Sequence, residues 1–175
     1  MFQLAVLEHL NGSNQEVSEQ LLLMDDATCL LVLRTSENPV ARDLAKRLYE
    51  RRLYKRALYV GSDQVNTNLV ENGVPIEKCR EFATTIALKA GLLPHEVLVD
   101  IPSIPREMSL GVRVKNRHTV VGFNELSPRI QTLNVTRREQ WRLGVYTLPE
   151  YRESVTEYSC EVLHIKKPTR QDTLF

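Results

Sequence analysis

The sequence predicts an α+β fold, and three observations carry that expectation. Apolar residues recur at helical spacing through the first third of the chain, first as Val17, Leu21 and Met24 and again as Val40, Leu44 and Leu48. Later runs rich in valine, leucine and tyrosine, such as the residues before Gly61 and before Pro102, are short and closed by glycine or proline, as strands are. Helices therefore dominate the first third, and mixed strands and helices fill the rest. The expected organisation is a helical segment over residues 1–52, a small mixed lobe over 53–165 and a polar, frayed tail over 166–175.

Taken in order, Met1 to Leu10 ends at the turn signal Asn11-Gly12 and reads as a short helix or an arm with no obvious packing partner. Asn14 is placed to cap a helix that stops near Asp25. Asp25 or Asp26 caps the next, whose run Leu30 to Leu33 is apolar on nearly all sides, as in the middle of a bundle. Asn38 followed by Pro39 opens a third helix, because proline lacks an N–H that the first turn does not need. Leu53 to Val60 reads as a strand ending at Gly61. A polar connector, 64–72, leads to a helix with Pro75 at its start and Gly91 as its left-handed stop, its buried stripe being Ile76, Cys79, Ala83, Ile86 and Ala90.

Val97, Val99 and Ile101 share one face of the next strand, which Pro102 and Pro105 terminate. Further strands are expected at 112–114, 119–123 and 143–147. Short helices are expected from Ser127-Pro128 and around Arg137 to Trp141, and a last one from Pro149 buries Tyr151, Val155, Tyr158 and Val162.

The bulk properties exclude several function classes. A hydrophobic content of 42% with 26% charged residues describes a globular chain, and a net charge of +1 confines any anion partner to a local patch. The apolar runs are far shorter than the ~20 residues of a membrane span, and the start, with Glu8 in its apolar stretch, lacks the cationic region of a secretory signal. Cys29, Cys79 and Cys160 are widely spaced and odd in number, which fits reduced thiols in the cytoplasm.

No phosphate-loop, dinucleotide, hydrolase-elbow or zinc motif occurs, so no catalytic residues are assigned. His9, His95, His118 and His164 have no histidine or cysteine at ligand spacing, and structural or solvated roles account for them. Asp25-Asp26 offers oxygens to a cation, but helix capping explains the pair with fewer assumptions. Asp100, at a strand end, suits a partner for an arginine or a turn cap better than a catalytic acid. Trp141, Tyr151 and Tyr158 are simplest as core or interface aromatics.

The densest cationic stretch is Arg42 to Arg56, where the third helix passes into a strand. Lysine and arginine at a helix C-terminus complement its dipole. They also suit a phosphate or a base: Arg51 and Lys55 flank Leu53, and in extended backbone Tyr54 points away from all three. A small nucleic-acid-binding module is the alternative, with the basic stretch on phosphates and Tyr54 or Tyr59 stacking on bases. A third is a scaffold without a ligand.

The run LLLMDDATCLLVLRTSENPVARDLAKRLYERRLYKRAL, followed by VLVDIPSIPRE, NELSPRIQTLN and RLGVYTLP, resembles the C-terminal portion of HD-superfamily phosphohydrolases related to the deoxynucleotide triphosphohydrolases. The likeness covers about Val17 to Pro149. Its most specific piece is Arg51-Arg52-Leu53-Tyr54-Lys55, similar to an Arg-x-Leu-aromatic-Lys stretch that contacts an activating guanine nucleotide at a subunit interface in a relative joining SAM and HD domains. The resemblance implies an allosteric nucleotide site at Arg51, Leu53 and Lys55, self-association or docking to a missing HD half, and a divalent cation only in that HD core. The family's His-Asp dipeptide is absent from this chain, so it is not expected to hydrolyse nucleotides by itself. It would be a truncated part or a free-standing remnant of such an enzyme.

Overall fold

The computed structural model describes residues 1–11, 15–66, 69, 74–103, 112–115, 119–122 and 128–165. Asn14, Pro105, His118, Ser127 and the tail 166–175 lie outside them. The fold is α+β, with seven helices and two small sheets among the described residues. The chain divides into two compact units, one of residues 1–55 with 147–150, the other of residues 56–146 with 151–175.

The first unit holds α1 (Phe2–Leu10), α2 (Gln15–Leu22), α3 (Asp26–Arg34) and α4 (Pro39–Tyr49). Its centre is α4, which packs against α1 and α3. Ala41, Leu44 and Ala45 are fully buried there, against Ala5 of α1 and Leu33 of α3 also fully buried. The small side chains at 41 and 45 let neighbouring backbones approach closely. Asn38 caps α4 by accepting hydrogen bonds from the N–H groups of Val40 and Ala41 at 2.9 and 3.3 Å, and its amide donates to the Glu8 carbonyl at 2.8 Å. One residue thus ends an orphan-donor problem and ties α4 to α1. Asp25 caps α3 by accepting from the Thr28 N–H at 2.7 Å, and that bond holds its carboxyl below the ordinary value.

The middle-of-the-bundle expectation for α3 does not hold. Only Leu33 is fully buried on it, and Leu31 is exposed, because α4 and not α3 is the central helix. On α2 the stripe Val17, Leu21 and Met24 is only half-buried, and the helix ends at Leu22.

The second unit is built on a three-stranded sheet of β1 (Lys55–Gly61), β5 (Arg142–Thr147) and β2 (Val97–Asp100), in the spatial order β1-β5-β2. A separate antiparallel pair joins β3 (Arg113–Lys115) to β4 (Val120–Gly122), with Val114 opposite Val121. The helices are α5 (Ile76–Lys89), α6 (Pro128–Glu139) and α7 (Arg152–Val162), and α5 packs on β2 and α7. Leu58, Val97, Leu143, Val145, Ile86 and Val155 form the dry centre of this unit. Burying each such side chain contributes roughly 1.5–3 kcal/mol before conformational entropy is subtracted.

Gly91 closes α5 in the left-handed region as expected, with φ +70°, and the Leu92 N–H reaches back to the Ala87 carbonyl at 2.8 Å. Ile76, expected in the buried stripe of α5, is exposed in its first turn, and two further details differ from the sequence reading. Arg137 to Trp141 is not a separate helix: α6 runs unbroken to Glu139, and Trp141 follows it as the strand begins. In the last helix Tyr151 is exposed, lying in a 3-10 turn before the helix proper, while Tyr158 and Val162 are partly buried against the core and the fully buried positions are Val155, Ser159 and Leu163.

Candidate functional site

The sequence places its candidate site where α4 ends. There the Arg52 N–H donates to the Arg47 carbonyl at 2.9 Å and the Arg51 N–H to Leu48 at 3.2 Å, the paired bonds of a Schellman stop. Such a stop needs a left-handed residue, and Arg51 supplies it with φ +56° although glycine is the unstrained choice. The turn then feeds β1.

Arg51, Leu53 and Lys55 are all exposed, whereas Tyr54 between them is buried, its N–H donating to Met1 Sδ at 3.3 Å and Arg47 lying over its ring. Burial of Tyr54 is what turns Leu53 and Lys55 outward, the alternation read from the sequence. Among the described residues no side-chain hydrogen bond or ion pair engages Arg51 or Lys55. The neighbouring cations are occupied. Arg52 bonds Glu50 at 2.7 Å, Arg47 bonds Asp43 at 2.7 Å, Lys46 lies 4.0 Å from Glu50, and Arg42 donates to the Ser36 carbonyl at 2.8 Å.

These pairings bear on the nucleic-acid alternative. Tyr54 is buried and has no face to offer a base, whereas Tyr59, the other ring of that alternative, is exposed; Arg42, Arg47 and Arg52 each have a local acceptor.

A second concentration of chemistry lies in the sheet-bearing unit. There a cleft of about 430 Å³ is lined by Tyr59, Asp100, Arg137, Trp141, Arg142 and Tyr146, among others. Period-two alternation explains it. Leu58 and Val60 of β1 and Leu143 and Val145 of β5 face the core, so Tyr59, Arg142 and Tyr146 stand on the opposite face. Gly144 makes room for the last of these, since a Cβ there would lie 2.7 Å from the Tyr146 ring. Burial, with the nearby Asp100 carboxylate, raises the Tyr146 phenol above its ordinary value. The Trp141 indole N–H donates to the Pro102 carbonyl at 2.6 Å and fixes the cleft wall. Nothing in the sequence spacing joins residues 59, 100 and 137–146.

The sequence matches the family model described as HD associated region over residues 1–174. The chain belongs to that family. No curated protein and no solved structure matches it. The HD-associated region is thereby linked to HD-type phosphohydrolases. Among its described residues, no group of three or more His, Cys, Asp or Glu side chains converges as a metal site would require. No described helix is long and apolar enough to cross a membrane.

Proposed function

We propose that this HD-associated region is the regulatory and oligomerisation part of an HD-type metal-dependent phosphohydrolase acting on (deoxy)nucleotides, not catalytic by itself. In this reading Arg51, Leu53 and Lys55 take a guanine nucleotide at an allosteric site, and the chain works in the cytoplasm, where its three free thiols stay reduced. The observation that carries the reading is the exposure of Arg51, Leu53 and Lys55 around a buried Tyr54, with two uncommitted cations on either side of an apolar side chain. A guanidinium fork and a lysine ammonium suit the phosphates, and Leu53 offers an apolar contact to the base. Backbone strain at Arg51 adds support, since a non-glycine residue held in the left-handed region is found disproportionately at functional positions. The partner is a second copy of the chain or an HD half, met through the exposed leucines of the helical unit.

Thermal unfolding with dGTP, GTP or a short single strand, at two salt concentrations, tests the site on wild type and on Arg51→Ala/Lys55→Ala. A nucleotide at a hundredfold over its Kd stabilises by about 2.7 kcal/mol. For a chain of this length that is a midpoint rise of roughly 5–10 °C. The double variant should lose the rise. A rise of equal size in the double variant, or salt-sensitive binding of the strand alone, overturns the assignment.

A further inference from the structure

The cleft of the sheet-bearing unit combines three chemistries in a space of about 430 Å³. The first is a flat apolar platform. Tyr59 is 44% exposed, and the Arg56 guanidinium covers one side of its ring at 3.8 Å, which braces the ring and draws on its π face. The second is cationic, from the Arg137 and Arg142 side chains; Arg142 also donates to the Glu139 carbonyl, at the negative end of α6, and to the Trp141 carbonyl at 2.7 Å. The third is the Asp100 carboxylate, exposed at the end of β2 and, among the described residues, in no side-chain hydrogen bond or ion pair.

From this combination we infer that the cleft binds a nucleoside monophosphate, with the base stacked on Tyr59, its donor edge on Asp100 and its phosphate toward Arg137. A simple polyanion would be repelled by Asp100, and an apolar ligand would make use of neither the carboxylate nor the cations. A nucleotide carries a ring, hydrogen-bond donors and an anion together. The carboxylate also ranks the bases. Guanine presents two adjacent N–H donors that match two carboxylate oxygens, whereas the pairing edge of adenine sets a ring acceptor beside its one donor group, which a carboxylate opposes. The volume is at the small end of ligand sites, enough for one nucleotide unit and not for a strand. This inference does not rest on Arg51, Leu53 and Lys55, which belong to the other unit.

Trp141 is the only tryptophan and lines this cleft, so its emission reports occupancy there. Titration of the full chain with GMP, AMP, inorganic phosphate and a ten-residue single-stranded RNA, followed at 295 nm excitation, is the test. GMP should give a saturable change that persists in Arg51→Ala/Lys55→Ala and weakens about tenfold or more in both Tyr59→Ala and Asp100→Asn. AMP should bind more weakly, and phosphate alone should give no change. Thermal midpoints of the two cleft variants within a few degrees of wild type show that each is folded, and Tyr59→Phe, which keeps the ring, should restore binding. The inference is overturned by a flat GMP titration, by equal GMP and AMP affinities, by unchanged binding in Tyr59→Ala and Asp100→Asn, or by RNA binding more tightly than GMP with a steep salt dependence.

Discussion

At Arg51 stability and the proposed function pull in opposite directions, which makes the residue informative. A left-handed conformation costs an L-residue with a Cβ about 1–2 kcal/mol, and glycine escapes that cost while losing more entropy on folding. Arg51→Gly should therefore raise stability by about 0.5–1 kcal/mol, a midpoint gain of roughly 1–4 °C, and abolish the nucleotide-dependent rise. His164 closes α7 by the same geometry, with φ +53° and the Ile165 N–H bonded to the Cys160 carbonyl at 2.9 Å. His164→Gly should stabilise by a similar amount and leave the nucleotide response intact. A full response in Arg51→Gly would show that the guanidinium is not a ligand and that arginine stands there for reasons outside binding.

At the level of elements, the helix starts are the part of the fold that local chemistry dictates. Asn38 both caps α4 and donates to Glu8 of α1, so Asn38→Ala should lower stability by about 1–2 kcal/mol. Asn38→Asp, which keeps the acceptor but removes the donor, should recover part of that loss in urea denaturation; no recovery would mean that the link to α1 and not the cap is what matters. Such features were legible because their signals are contiguous: Asp25, Asn38-Pro39 and Gly91 each act on backbone within a few residues. The strands were legible as segments, but their order was not, since pairing β5 between β1 and β2 joins positions more than 40 residues apart. The misplaced helix around Arg137 to Trp141 has a similar origin: Trp141 is buried in the core cluster although it lies past the end of α6, and apolar spacing alone does not tell that burial from helical burial. The alternation at Arg51, Leu53 and Lys55 was readable from spacing, whereas the cleft was not, because the topology alone brings Tyr59, Asp100 and Arg137 to one place.

For the molecule as a whole, the helical unit presents apolar surface that its own packing does not cover. Leu22 and Leu23 are 85% and 89% exposed at the end of α2, and Leu31 is exposed on α3. Isolated exposed leucines are ordinary, but an adjacent pair this open suits a protein partner, in keeping with the proposed association. Light scattering should therefore find wild type in concentration-dependent self-association, reduced to monomer in Leu22→Ser/Leu23→Ser with little change in thermal midpoint. A wild-type monomer at all concentrations would remove oligomerisation from the proposed function. The strand order has a consequence for biosynthesis. Because the middle strand of the sheet is the last to be made, β1 and β2 leave the ribosome without the neighbour they share, and the sheet cannot close until Thr147 has emerged. Folding of this unit is thus completed late, with two strand edges open to other chains in the interval, the stage at which a chaperone has most to protect.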